Sequence, residues 1–184
     1  MAGVYRFTFG PWNIHEGADP FGPPVRKSIE FANKLKLYKK LGFDGVQFHD
    51  DDAVPGMDKL SSQQIIKKAK EMRKMLEDEG LVAEFVAPRL WEDARTVDGA
   101  YTSNDPASRK YAKERSRRML DICDALGTKL VVLWFAREGT YIREAKDSKA
   151  AVDLLLDAVH QMLEYAPGSV LLSNTSPTSR YDIV

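Results

Sequence analysis

The stretch Asp44-Gly45-Val46-Gln47-Phe48-His49-Asp50-Asp51-Asp52 runs from an apolar segment into four ionisable residues, and the turn signal Val54-Pro55-Gly56 follows. Such a segment reads as a strand that ends in chemistry. An aspartate three residues after a histidine can hold Nδ1 by a hydrogen bond and fix one tautomer, which leaves Nε2 free to move a proton. Taken alone, the three aspartates read more simply as a solvated loop that caps the next helix. The surrounding pattern decides between these readings.

Upstream, Val4 to Gly10 has the β-branched and aromatic period-two character of a strand, and a long loop from Pro11 to Pro24 carries Trp12, His15 and Phe21. Ser28 to Leu41 repeats apolar residues at helical spacing and ends at Gly42. Downstream, Ser61 and Gln64 form a capping box before the stripe Ile65, Ile66, Ala69, Met72, Met75 and Leu76, and Gly80 closes that helix. Leu81 to Val86 reads as a third strand, followed by a loop with Arg89, Trp91, Arg95 and Tyr101. Asn104 is expected to cap a long helix to Leu126, whose basic residues Arg109, Lys110, Lys113, Arg115, Arg117 and Arg118 alternate with acids and read as a solvated face. Lys129 to Trp134 is a fourth strand, apolar enough to be covered on both faces. A last helix begins at Asp147 or Ser148, and a fifth strand begins at Ser169 to Leu172. His160 on that helix reads as a surface residue, and an irregular polar tail is expected from about residue 173.

Repeated strand, loop and amphipathic helix predict an α/β fold with parallel strands and right-handed crossovers. The loops after the strands are longer and richer in aromatic and polar residues than those after the helices, which places a site at the strand C-terminal ends. Period two puts Gly45, Gln47 and His49 on one face of their strand, and Leu130, Val132 and Trp134 on one face of theirs. His49, Trp12 and Trp134 are therefore expected to converge, which moves His49 from loop decoration toward an active-site base.

A chain of 184 residues holds one sizeable core but not two comfortable domains, so residues 1–184 read as a single unit. The 27 basic and 27 acidic residues cancel, which leaves no field to attract nucleic acid or an anionic membrane. No apolar run reaches bilayer length and none resembles a signal peptide. The single Cys123 cannot close an internal disulfide and reads as a buried small hydrophobe; a cytoplasmic protein is expected.

Several segments together resemble the N-terminal half of a xylose isomerase, a metal-dependent aldose-ketose isomerase with a TIM-barrel fold. They are Phe7-Thr8-Phe9-Gly10-Pro11-Trp12, Asp19-Pro20-Phe21-Gly22, Gly45 to Asp52, Thr102-Ser103-Asn104-Asp105, and Val132-Leu133-Trp134 with Arg137-Glu138-Gly139, in the family's order up to about Pro167. The resemblance implies about half of a TIM barrel. It implies that His49 assists opening of the cyclic sugar and that Asp52 orients it. Trp12 and Trp134 resemble aromatic walls along the substrate, and Phe21 a residue that a neighbouring subunit contributes, so a homo-oligomer is expected. Trp91 stands where many members carry phenylalanine and Arg89 where many carry asparagine, departures that bear on substrate choice.

The resemblance also implies two divalent cations, magnesium or manganese, that polarise the open-chain oxygens for a hydride shift of the D-xylose to D-xylulose class, an intramolecular redox reaction. The family's metal-binding carboxylates begin in a glutamate-rich segment after the fifth strand. Here that segment reads Leu172-Ser173-Asn174-Thr175-Ser176-Pro177, and no glutamate follows Glu164. A shift of reading frame is one account of this tail. No metal ligands are assigned, and the chain by itself is expected to be inactive. Two alternatives stand beside this reading: a non-catalytic half-barrel that only oligomerises, and a related barrel isomerase or epimerase for another sugar.

Overall fold

The computed structural model describes residues 5–13, 25–135, 137–140 and 142–174. His15, Phe21 and the tail from Thr175 lie outside the described residues. Five parallel strands stand in the order β1 to β5 with each strand beside its predecessor: β1 (Thr8–Phe9), β2 (Gly45–His49), β3 (Val82–Ala87), β4 (Leu130–Trp134) and β5 (Val170–Asn174). Helices α1 (Phe31–Lys40), α3 (Ser62–Asp78), α4 (Pro106–Leu126) and α5 (Ser148–Tyr165) connect them, and a single turn α2 (Asp50–Ala53) follows β2 directly. This sequential parallel order with a helix per crossover is an arc of an α/β barrel.

Period two sorts the strand residues as expected. Val46 and Phe48 of β2, Val86 of β3, and Val131 and Leu133 of β4 are buried in one core with the helix stripes. Those stripes are Leu35 and Tyr38 of α1, Ile65, Ala69 and Leu76 of α3, Met119, Ile122 and Cys123 of α4, and Ala158 and Met162 of α5. Burial pushes the Cys123 thiol up to about 12, in keeping with a packing role. The alternate positions Gln47, His49, Leu130, Val132 and Trp134 are only partly covered, so β4 is sealed on one face rather than on both. Gly45 permits the close approach of β2 and β3, since a Cβ there would lie 2.8 Å from the Val82 carbonyl oxygen. Beyond it the β2–β3 register slips between Val46 and Phe48, and the Glu84 carbonyl within the slip accepts a 2.7 Å hydrogen bond from the Thr128 hydroxyl.

Several expectations need correction. The first strand shrinks to Thr8–Phe9, with Tyr5 and Phe7 exposed, because among the described residues this edge pairs with β2 alone. The first helix starts at Phe31 rather than Ser28; Glu30 sits at its N-cap and Ile29 before it is exposed. Asp105, not Asn104, caps α4, accepting from the backbone N–H groups of Ala107 and Ser108, while the Asn104 amide donates to the Ala145 carbonyl. Pro106 at the first helical position makes its predecessor the cap. Asp147 caps α5 through Ala150, and the capping box of Ser61 and Gln64 forms as expected. β5 continues through Ser173 and Asn174 before the described residues end. Among the described residues no helix is long and apolar enough to cross a membrane.

Candidate functional site

β2 delivers His49 at its last position, and the chain turns at once into α2, so the three aspartates leave in three directions. Asp52 folds back, its Oδ2 2.8 Å from His49 Nδ1 and 3.3 Å from the His49 backbone N–H. Asp50 turns inward and is fully buried, where Arg115 grips it with two parallel 2.7 Å bonds and the Arg89 backbone N–H donates at 3.1 Å. Asp51 stays near the surface and accepts from Arg89 Nε at 2.9 Å.

Arg89 follows β3 and binds several groups at once. Its Nη2 lies 2.7 Å from Asp52 Oδ1 and 2.7 Å from His49 Nδ1, and its Nη1 reaches Glu92 at 3.3 Å. Burial alone would raise Asp52, but the hydrogen bond from His49 and the charge of Arg89 hold its carboxyl below the ordinary aspartate value. Burial raises the Asp50 carboxyl above its ordinary value, with the Arg115 fork pulling in the opposite direction.

The aromatic residues form a row. The Trp12 indole sits over Gly10, where a Cβ would clash at 2.2 Å, and stacks on His49 with ring centroids 4.4 Å apart at 34°. His49 also meets the Trp91 ring at 5.1 Å, edge to face, and Trp91 meets Trp134 at 4.4 Å in the same manner. Trp12, His49, Trp91 and Trp134 thus come from the ends of β1, β2, β3 and β4 in turn. Among the described residues Nε2 of His49 has no hydrogen-bond partner, while Nδ1 is engaged. A cavity of about 550 Å³ adjoins this row on the Asp52 side, lined by Trp12, Phe31, Lys34, Asp51, Asp52 and Arg89 among others. It shares Trp12 with the aromatic row but does not reach Trp91 or Trp134.

Behind the row, Glu138 ties the loop after β4 to the loop after β3. Its carboxylate accepts the backbone N–H groups of Ala100, Tyr101 and Thr102 at 2.9–3.3 Å and the Thr102 hydroxyl at 2.8 Å. Buried Lys146 adds a 2.6 Å bond to the Asp98 carbonyl.

Of the residues expected at the site, His49, Asp52, Trp12, Trp91 and Trp134 come together, and Phe21 is outside the described residues. Arg115 corrects the reading of a solvated basic face. It lies four residues from both Tyr111 and Met119, on the buried stripe of α4, and that spacing was the signal. Arg89 as the hub of the aspartate cluster, and Glu138 as the loop tie, had no local signal.

No group of three or more histidine, cysteine, aspartate or glutamate residues suited to a metal ion occurs among the described residues. The acids nearest His49 are already committed to arginines, Asp50 to Arg115 and Asp51 and Asp52 to Arg89. This donor set does not fit a divalent cation, which requires several free oxygen ligands.

The chain is 34% identical over 164 residues to the xylose isomerase of Thermus thermophilus, a match that covers 88% of this chain and 42% of that protein. The chain therefore spans less than half the length of the curated relative it matches. Among solved structures it resembles the 3-keto-D-glucoside 4-epimerase of E. coli at 15% identity and a TM-score of 0.57, covering 89% of this chain and 55% of that one. It also resembles a xylose isomerase-like TIM barrel protein from Mycobacterium smegmatis, solved with magnesium, at 18% identity and a TM-score of 0.57, covering 98% of this chain and 57% of that one. At such identities these two likenesses speak for the fold alone. The family model described as a xylose isomerase-like TIM barrel matches residues 35–173. The chain belongs to the xylose isomerase-like TIM barrel family.

Proposed function

We propose that this chain carries the sugar-opening part of an aldose-ketose isomerase site of the D-xylose to D-xylulose class. The observation that carries the reading is the row Trp12, His49, Trp91 and Trp134, with Nδ1 of His49 engaged and Nε2 without a hydrogen-bond partner among the described residues. Aromatic faces suit the C–H side of a hydroxyl-rich ring, and an imidazole nitrogen not already engaged suits proton transfer to and from its oxygens. His49 is the catalytic residue of this step, Asp52 orients it, and Trp12, Trp91 and Trp134 hold the sugar. Phe21 is assigned to the same pocket from a neighbouring copy.

The magnesium or manganese pair expected for the hydride shift finds no donor set among the described residues, so no step is assigned to it. We therefore infer that the isolated chain opens sugar rings without interconverting aldose and ketose. Polarimetry of α-D-xylose is the test. Faster mutarotation with the wild-type chain, lost in His49→Gln, supports the reading, and a rate equal to buffer in both overturns it. Turnover of xylose to xylulose with added magnesium or manganese would overturn the inference that the isolated chain does not interconvert aldose and ketose.

A second reading, a related isomerase or epimerase acting on another sugar, is favoured by Arg89 and Trp91, which depart from the residues that many xylose isomerases carry. A panel of aldoses and ketoses in the mutarotation and isomerisation assays separates the two. We also propose a homo-oligomer working in the cytoplasm. Val170 and Leu172 of β5, paired in register with the half-covered Leu130 and Val132, leave an apolar sheet face suited to a second copy. A monodisperse monomer in sedimentation at micromolar concentration overturns that association.

A further inference from the structure

Nδ1 of His49 stands between two groups of fixed character. Asp52 Oδ2 lies 2.8 Å from it and Arg89 Nη2 lies 2.7 Å from it, while the same Nη2 is 2.7 Å from Asp52 Oδ1. A guanidinium nitrogen only donates and keeps its protons. An ionised carboxylate only accepts. With a proton on Nδ1, the ring donates to Asp52 and meets an Arg89 N–H donor to donor. Without one, Nδ1 accepts from Arg89 and its lone pair faces Oδ2. Each tautomer satisfies one neighbour and opposes the other.

A histidine with an aspartate alone has no such conflict, because the carboxylate fixes the proton on Nδ1 and leaves Nε2 an acceptor. We propose that Arg89 is a positioning residue that offsets the hold of Asp52 on the His49 tautomer, so that Nε2 is presented both as an acceptor and as an N–H donor. Two indoles pack on this ring, Trp12 at 4.4 Å and tilted by 34° and Trp91 at 5.1 Å and edge to face, and the two forms differ in where the proton sits. The tautomer balance is independent of the functional reading; its use rests on that reading. In ring opening the O1–H proton leaves for a base, the C1–O5 bond breaks as C1=O1 forms, and O5 takes a proton. An acceptor Nε2 begins at O1 and returns that proton to O5, whereas a donor Nε2 begins at O5 and recovers its proton from O1.

The experiment reads the ring nitrogens directly. The whole chain is labelled with ¹⁵N-histidine, and long-range ¹H–¹⁵N correlations are recorded without sugar at an alkaline pH where imidazole is neutral. The chain has three histidines, and the His49 signals are those lost in His49→Gln. An unopposed charge-assisted hydrogen bond makes one tautomer dominant by more than about tenfold. The wild type is expected to show intermediate shifts at both nitrogens, with neither tautomer in more than about tenfold excess. Arg89→Met is expected to give a dominant Nδ1–H form and Asp52→Ala a dominant Nε2–H form. Should Arg89→Met fail to fold, Arg89→Gln takes its place. One dominant tautomer in the wild type, of either kind, overturns the proposal, as does an Arg89 variant whose spectrum matches the wild type. These spectra are unaffected if mutarotation proves absent, so the two readings fail separately.

Discussion

Asp50 and Asp52 are two residues apart, each is held by an arginine, and the two pairs live in different surroundings. In the Asp50–Arg115 pair the side chains are 0% and 5% exposed, and the contact is a two-pronged fork deep in the core. In the Asp52–Arg89 pair they are 24% and 19% exposed, and the arginine is shared among Asp51, Asp52, Glu92 and His49. The first arrangement uses an ion pair to fix α4 against the end of β2. The second uses one to set the state of His49, a member of the aromatic row. Depth decides which: a desolvated charge that loses its partner has no water to fall back on, whereas a partly exposed one does.

Removing the arginine from each pair tests this contrast most strongly. Arg115→Met leaves Asp50 buried and unpaired and is expected to cost about 3–5 kcal/mol in urea unfolding. The double variant Asp50→Leu with Arg115→Met is expected to recover most of that loss, since breaking a buried pair costs more than replacing it with apolar side chains. Arg89→Met is expected to cost only about 1 kcal/mol or less, because Asp51 and Asp52 retain access to water. Equal losses for Arg115→Met and Arg89→Met would break the comparison.

The acid limb of stability sharpens it further. Asp52 titrates below its ordinary value in the folded chain, so its contribution is present above about pH 4 and is lost as pH falls through the lower folded value. Asp50 titrates above its ordinary value, so its contribution has the opposite sign: its ionisation opposes folding at neutral pH and the opposition fades on acidification. Urea midpoints of wild type and Asp52→Asn are expected to differ near neutral pH and to converge as pH drops below about 4. A gap that stays constant with pH would mean that Asp52 acts through shape rather than charge.

These two aspartates also mark what was legible in the sequence. The alternation of strand and helix was readable because it rests on local periods, and most of the residues that those periods select on α3 and α5 are buried or packed against the core, Leu163 excepted. His49 and Asp52 were readable because three positions separate them at a strand end. Trp12 and Trp134 were readable because period two and loop asymmetry place them at strand ends. The partners of the aspartates were not, because Asp50 and Arg115 are 65 positions apart and Asp52 and Arg89 are 37 apart. Nothing local distinguishes three consecutive aspartates whose fates are set by which distant arginine each meets. Strand β1 shortened for a related reason, since its length depends on one neighbour rather than on its own residues.

The smallest expected effect concerns buried polar groups that differ only in having a partner. Tyr101 and Tyr38 are both almost wholly buried. The Tyr101 hydroxyl lies 2.7 Å from Ser116 Oγ, whereas the Tyr38 hydroxyl has no partner among the described residues, and burial pushes its phenol up to about 12. The Tyr38 ring itself packs on Phe9 at 5.0 Å, a contact that phenylalanine would keep. Tyr101→Phe is expected to lose about 1 kcal/mol, the net worth of one hydrogen bond, with Ser116 retaining its 2.8 Å bond to the Ala112 carbonyl. Tyr38→Phe is expected to be neutral or to gain up to about 1 kcal/mol, because it removes a desolvated hydroxyl that nothing compensates. Thermal unfolding of the two variants side by side checks this. A loss in Tyr38→Phe equal to that in Tyr101→Phe would show that the Tyr38 hydroxyl has a partner after all, and that burial alone does not separate the paired groups of this core from the unpaired.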